Sequence, residues 1–281
     1  MISCRREPHR GLSPFVADLW LYDGYVAAHA RERILPSGTF ELVLNLRENE
    51  LRIYDSAQSA HCRRYSGAVI SGPYASYFGS DAIEEVSLMG VHFRPGGAFP
   101  FLGFSAGDLA SDHINLSEIW KGDAEDLRAQ LAEATSTAER FELLEGALIE
   151  HLQGPLERHP AVATALAAHE SRTNLTRTCE LARLAGLSER RFIDVFRAEV
   201  GTSPKLFDRI QRFQRVLAQT RAADVVDWAV LAVACGYYDQ SHLIRDFSQF
   251  TGITPTDFVS RMQALRTHGV HAKPNHLAFA D

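Results

Sequence analysis

Cysteine is scarce in this sequence, four residues in 281, and no two of them are spaced to act together. Cys4, Cys62, Cys179 and Cys235 form no CxxC and have no neighbouring histidine pair, which argues against a zinc finger or a disulfide framework and predicts free thiols. Long apolar runs are missing as well: none approaches the ~20 residues of a membrane span. The N-terminal Met1-Ile2-Ser3-Cys4-Arg5-Arg6 has no apolar stretch behind its charges, so no secretory signal is read there. A cytoplasmic protein without membrane association is therefore expected. There is no nucleophile–base pairing and no phosphate-cradling glycine loop. The strand-rich part has no HxH pair or other close His/Asp/Glu cluster, so neither an enzyme nor a metal or other cofactor is predicted.

What is present is enough chain for two domains, each able to bury a core of its own. The net charge of −6 is unevenly spread. Residues 1–154 carry 13 Lys/Arg against 22 Asp/Glu, whereas residues 155–266 carry 15 against 12. The C-terminal part is thus net positive by three, too little on its own to argue for nucleic acid, because binding depends on where charges sit.

From about Pro14 to Phe104 short strand-like runs alternate with turn chemistry. The runs are 40–46, 51–54, 68–70 and 86–93, separated by Pro36-Ser37-Gly38, Ser71-Gly72-Pro73 and Arg94-Pro95-Gly96-Gly97. An antiparallel β-barrel or sandwich follows. Leu42, Leu44 and Leu46 share one strand face, while Glu41, Val43 and Asn45 share the other, so only one face is a clean core. From Ser111 to Gly154 the period becomes helical, with Leu127, Leu131, Phe141, Leu144 and Leu148 at helical spacing, which predicts a helical hairpin. Gly154-Pro155 breaks it and marks the boundary between a first domain, 1–154, and a second, 155–266. Residues 267–281 show no periodicity and read as a flexible tail.

The second domain contains an internal repeat. Leu181, Ala182 and Gly186 recur fifty residues on as Leu231, Ala232 and Gly236. After one inserted residue, Phe192, Phe196, Gly201, Pro204 and Phe207 match Leu243, Phe247, Gly252, Pro255 and Phe258. Each copy reads as helix, tight turn, helix. Gly186 ends the first helix where a left-handed backbone is needed, and Ser188, or Asp239 in the second copy, caps the next. A short angled pair with a protruding second helix is the DNA-binding helix-turn-helix. Between the copies, Pro204 to Arg221 reads as one connecting helix of roughly 25 Å. That length suits two recognition helices in successive major grooves about 34 Å apart.

The stretch from Ala232 to Phe247, followed by Gly252-Ile253-Thr254-Pro255, resembles the signature of AraC/XylS-type transcription regulators, with Tyr237 where that family usually has Phe. The resemblance covers residues 158–265 or so and implies a sequence-specific regulator of double-stranded DNA, with RNA polymerase as a further partner. Residues 10–153 resemble a domain of uncharacterised function found on some such regulators, through Leu35-Pro36-Ser37-Gly38 and Phe93-Arg94-Pro95-Gly96-Gly97-Ala98. That likeness implies a cupin-like sensor, with Glu41 where the family usually has Asp. The expected class is α+β: the cupin-like barrel and hairpin, then an all-α domain of two units on one long helix.

Candidate base readers are the outward residues of the two recognition helices: Arg190, Arg191, Asp194 and Arg197 in the first, Gln240, Ser241, His242 and Arg245 in the second. Arg can contact guanine O6 and N7 bidentately and Gln can do so for adenine. Asp194 either accepts from cytosine N4 or orients a neighbouring Arg. In the first domain Glu41, Asn45, His92 and Arg94 either line a pocket for a small effector, or face water and make structural pairs. That domain is accordingly a sensor, a dimerisation module or, least in keeping with its residues, a tethered enzyme. The chain is expected as a monomer or a homodimer.

Overall fold

The computed structural model describes residues 2–25, 31–55, 61–81, 86–170, 177–221, 223, 225–267 and 275–278. In chain order the strands are β1 (Ile2–Arg6), β2 (Val16–Tyr25), β3 (Arg31–Ile34), β4 (Glu41–Asn45), β5 (Leu51–Tyr54) and β6 (Cys62–Tyr65). They continue as β7 (Ala68–Ser71), β8 (Phe78–Asp81), β9 (Val86–Phe93), β10 (His113–Asn115) and, after all the helices, β11 (His276–Ala278). They form two antiparallel sheets, one of six strands in the order β1-β2-β9-β4-β7-β10 and one of five in the order β11-β3-β8-β5-β6.

Pleating decides what each face of the larger sheet does. Leu42 and Leu44 on β4, Leu19 and Leu21 on β2, and Met89 and Val91 on β9 are buried in one apolar cluster with helical residues Leu127, Leu131, Leu144 and Leu148. The opposite face, with Glu41, Val43, Trp20, Tyr22 and His92, looks across to Ile34, Ile53 and Phe78 of the smaller sheet. The clean apolar face thus packs on helices, and the mixed face lines the space between the sheets. The helices concerned are α2 (Leu116–Trp120), α3 (Asp123–Glu133) and α4 (Thr137–Glu150), which follow α1 (Phe99–Leu102) and a 3-10 turn at Ala106–Leu109. The hairpin expected from periodicity is α3 with α4. Its approach differs from the helical reading of Ser111 onward, because His113–Asn115 pair with β7 before α2 begins.

The remaining helices are α5 (Pro160–Glu170), α6 (Thr178–Leu184), α7 (Glu189–Val200), α8 (Pro204–Thr220), α9 (Trp228–Ala234), α10 (Gln240–Thr251) and α11 (Pro255–Thr267). The repeat read from sequence is visible in these bounds. α6 and α9 start fifty residues apart, and α7 and α10 fifty-one, as do α8 and α11. One core holds Val162, Leu181, Phe192, Phe196 and Phe207; the second holds Phe213, Leu231, Leu243, Phe247 and Phe258.

The stretch read as a tail needs correction. His276–Ala278 pair antiparallel with β3, and Leu277 is buried in the core of the second helical unit together with Leu35. Three residues carry no periodicity to detect, and their partner strand lies about 240 positions earlier. Residues 268–274 and 279–281 of that stretch lie outside the described residues.

Candidate nucleic-acid interface and inter-sheet cavity

Each recognition helix is set by its own cap. The Ser188 hydroxyl accepts from the Arg191 N–H at 3.3 Å, and the Asp239 carboxylate from the His242 N–H at 2.7 Å. The glycines closing the preceding helices are left-handed, with φ of +67° at Gly186 and +86° at Gly236. With Phe192 and Phe196, or Leu243 and Phe247, turned inward, the polar residues of α7 and α10 are left outside. Arg190, Arg191, Asp194 and Arg197 are exposed on α7, and Gln240, Ser241 and Arg245 on α10. His242 is only half exposed. Its ring meets Tyr237 edge-on at 5.2 Å and its Nε2 lies 3.9 Å from the Asp246 carboxylate, so packing engages it as well. Arg197 differs in another way: a Cβ on Gly107 would fall 2.8 Å from its Cγ, so this residue rests on the first domain's 3-10 turn. Sequence reasoning passed over Tyr238, 89% exposed in the turn ahead of α10.

The two units share α8. Its Phe207 belongs to the first core, and Ile210, Phe213, Val216 and Leu217 to the second. Arg209 on α8 binds the buried Asp246 of α10 through two nitrogens, the shortest contact being 2.7 Å, and reaches Gln249 at 2.6 Å. α10 is thereby fixed to the rod as well as packed on it.

α8 also carries the first domain. Gln211 and Gln214 donate their side-chain amides to the carbonyls of Ser37 and Pro36. Gly38 is left-handed, with φ of +76°, which favours glycine, and a Cβ there would sit 3.3 Å from Ile210 Cγ2, so the turn lies close against α8. The second turn motif behaves alike, with the Pro95 carbonyl accepting from Arg158 Nη2 at 3.1 Å and Gly96 facing Glu199 and Val200 of α7. Both motifs of the first domain are seats for the helical domain.

Of the four effector candidates, the structure brings two together. His92 stands between two carboxylates, with Nδ1 2.8 Å from Asp18 and Nε2 3.2 Å from Glu41. Burial works against its charged form, but the Glu41 charge and the hydrogen bonds to Asp18 and Glu41 outweigh it and raise the imidazole to about 9. Asp18 and Glu41 are in turn held below the usual carboxylate range: burial opposes this, and His92 overrides it in both. Glu41 and His92 line a cavity of about 80 Å³ between the sheets.

Asn45 and Arg94 are not part of it. Asn45 has the face parity of Glu41 but ends its strand, where its side-chain Oδ1 accepts from the Arg47 and Glu48 N–H groups at 3.0 Å and closes a turn. Arg94 lies beyond the end of β9, donates to the Ser13 carbonyl at 2.8 Å, and borders a separate cleft against α5 and α8. Cavity residues that the sequence reading did not nominate are Trp20, His113 and His276, which come from three distant strands.

One wall of the cavity is shared. Ile34 and His276 are register partners on β3 and β11 and both line the cavity, while Leu35, just past the end of β3, and Leu277, next along β11, enter the second helical core. Arg33 adds a hydrogen bond to the Thr251 carbonyl at the end of α10, at 2.9 Å. Among the described residues no group of three or more His, Cys, Asp or Glu is arranged to hold a metal, and no helix is long and apolar enough to cross a membrane.

Two capped, angled helix pairs on one rod, each with an outward polar helix, define a helix-turn-helix DNA-binding protein. The comparisons agree. Residues 181–261 match the family described as helix-turn-helix domain, and residues 5–115 match a domain of unknown function, DUF6597. Residues 181–261 thus form a helix-turn-helix domain, of the kind the AraC/XylS resemblance implies, and residues 5–115 a DUF6597 domain. No curated protein matches the sequence. Among solved structures, ToxT from Vibrio cholerae with bound unsaturated fatty acid is similar at 10% identity and a TM-score of 0.48, over 91% of this chain and 97% of that one. Another ToxT crystal form gives 8% identity and a TM-score of 0.46, over 86% and 98%.

Proposed function

We propose that this regulator reads two adjacent major-groove half-sites with α7 and α10 of a single chain, and that a small effector held between the sheets of the first domain biases that reading. The sharing of α8 by both helical cores carries the first half of the proposal. A rod of roughly 25 Å common to both units fixes the relative position of two recognition helices. Arg190, Arg191, Gln240, Ser241 and Arg245 are the base readers, with Asp194 beside them; Arg197 and His242 divide their contacts between DNA and protein. Footprinting at fixed salt tests this: two protected blocks about one helical turn apart are expected. Protection of a single block, unchanged when α7 is altered, would refute it.

The shared β3–β11 wall supports the second half. An effector alters DNA binding only if it binds two arrangements of the protein unequally. A molecule pressing on Ile34 and His276 acts on strands whose next residues are packed among α8 and α10. Glu41 and His92 are its polar contacts. A titration of operator affinity against effector concentration, read in the full-length chain, would expose a first domain that only dimerises, since affinity would then not move. RNA polymerase contact is a further part of this reading, to be tested by transcription from a promoter bearing the footprinted site.

A further inference from the structure

We propose that Tyr238 is a DNA contact of the second helix-turn-helix unit, its phenol hydroxyl donating a hydrogen bond to a backbone phosphate at the edge of the half-site that α10 reads. This rests on the reading of α10 as a recognition helix and adds to it a residue that the first unit does not have.

The repeat locates that residue. Both turns close with the same pair of main-chain bonds. In the first, the Gly186 N–H donates to the Arg183 carbonyl and the Leu187 N–H to the Ala182 carbonyl; in the second, Gly236 donates to Val233 and Tyr237 to Ala232, all at 2.9–3.1 Å. Leu187 and Tyr237 are therefore equivalent, and each packs against the core of its own unit. Ser188, the cap of α7, follows Leu187 directly, whereas Asp239, the cap of α10, stands two residues after Tyr237. The residue that shifts the repeat from fifty to fifty-one is Tyr238.

Packing gives the inserted residue no task. Tyr237 is 4% exposed, with the Arg212 guanidinium 5.5 Å from its ring. Tyr238 is 89% exposed and makes no hydrogen bond or ring contact with any described residue. Phe99, at 37%, is the one other exposed aromatic among the described side chains. A tyrosine combines an apolar body with a donor tip, which suits it to a surface that meets another molecule.

Docking geometry says what it meets. In a helix-turn-helix the first helix crosses the DNA backbone, and the N-terminal residues of the second reach base edges. The turn that joins them, here residues 236–239, consequently passes beside the phosphates. Phosphate oxygens accept from tyrosine hydroxyls, and such contacts fix position without reading sequence. The phenol O–H is a donor and carries no charge, so its contact displaces no counterion.

Duplexes selected from a random pool by the full-length protein supply the DNA for a test by fluorescence anisotropy at fixed salt. Tyr238→Phe keeps the ring and removes the donor. It should weaken binding roughly 10-fold, as loss of a hydrogen bond to a charged group does. Base preferences, the dependence of affinity on salt and thermal unfolding should all stay as in the parent. Neutral methylphosphonates placed one at a time beside the second half-site should reveal one position whose loss does not add to that of Tyr238→Phe; no position beside the first half-site should do so. Parent-like affinity in Tyr238→Phe, altered base preferences, a lower melting temperature, or additive losses at every phosphate would overturn the proposal. Arg245→Ala separates it from the reading it rests on. If Arg245→Ala weakens binding and Tyr238→Phe does not, the tyrosine contact alone fails; if neither does, α10 is not a recognition helix.

Discussion

The side-chain amide of Gln214, two-thirds of the way along α8, donates to the Pro36 carbonyl of the first domain at 2.6 Å. One helix therefore carries both recognition units and the domain expected to regulate them. Replacing Gln214 with Leu removes the donor and leaves a half-buried carbonyl unpaired. Net loss of stability should be about 1 kcal/mol, the usual worth of one such bond, and chemical denaturation would measure it. An unchanged midpoint would mean the contact is not kept in solution.

Arg245 and Asp246 are neighbours on α10 with opposite tasks. Arg245 is exposed, so Arg245→Ala should lower specific operator affinity by roughly 1–3 kcal/mol at fixed salt and leave the melting temperature alone. Asp246 is buried and anchors Arg209, so Asp246→Ala should cost about 3 kcal/mol of stability. Loss of DNA binding would then follow from loss of the helix position. A calorimetric scan beside a binding titration separates the two effects.

Two of the three histidines lining the cavity, His92 and His113, should give stability opposite pH slopes. His92 is raised from 6.5 to about 9, so its contribution is complete below pH 6.5 and is lost as pH climbs through 9. Burial lowers His113 to about 3. The unfolded chain then takes up the proton first, and stability falls as pH drops from 6.5 toward 3. Melting curves across this range should show His92→Phe flattening the alkaline slope and His113→Phe the acid one. Slopes identical to the parent protein's would dismiss both assignments.

Leu277 is 1% exposed, so Leu277→Ala should destabilise the protein by about 2–5 kcal/mol, as truncations of buried leucines do. Urea unfolding reads this directly. A cost below ~0.5 kcal/mol would show that β11 does not dock.

The helical domain was legible because its signals are local. Ser188, Asp239 and the two turn glycines act within a few residues of their own positions, and the repeat supplied each reading twice. The four nominated strands were likewise found from alternation and turns. What escaped depends on distant pairing. β11 has three residues and exists through β3; His113 was taken into a helical stretch and is held by β7 and Tyr74. Asn45 and Arg94 show the limit of face parity. Alternation gives the side of a strand, but at its end the side chain can turn to a nearby backbone instead. The turn motifs Pro36-Ser37-Gly38 and Arg94-Pro95-Gly96-Gly97 were recognised as turns, but their use as docking seats needed the partner helices in view.

The late strand has a consequence for how the chain matures. Glu32 and His276 are 244 residues apart, so on a ribosome β3 emerges long before the segment that covers it. Until then β3 is a bare sheet edge, the kind of surface that invites pairing with other chains. Domains usually finish folding in the order they are made. Here the smaller sheet gains its β11 edge only after the helices of the second domain have been made, so until then the nascent protein carries an edge that β11 should fill.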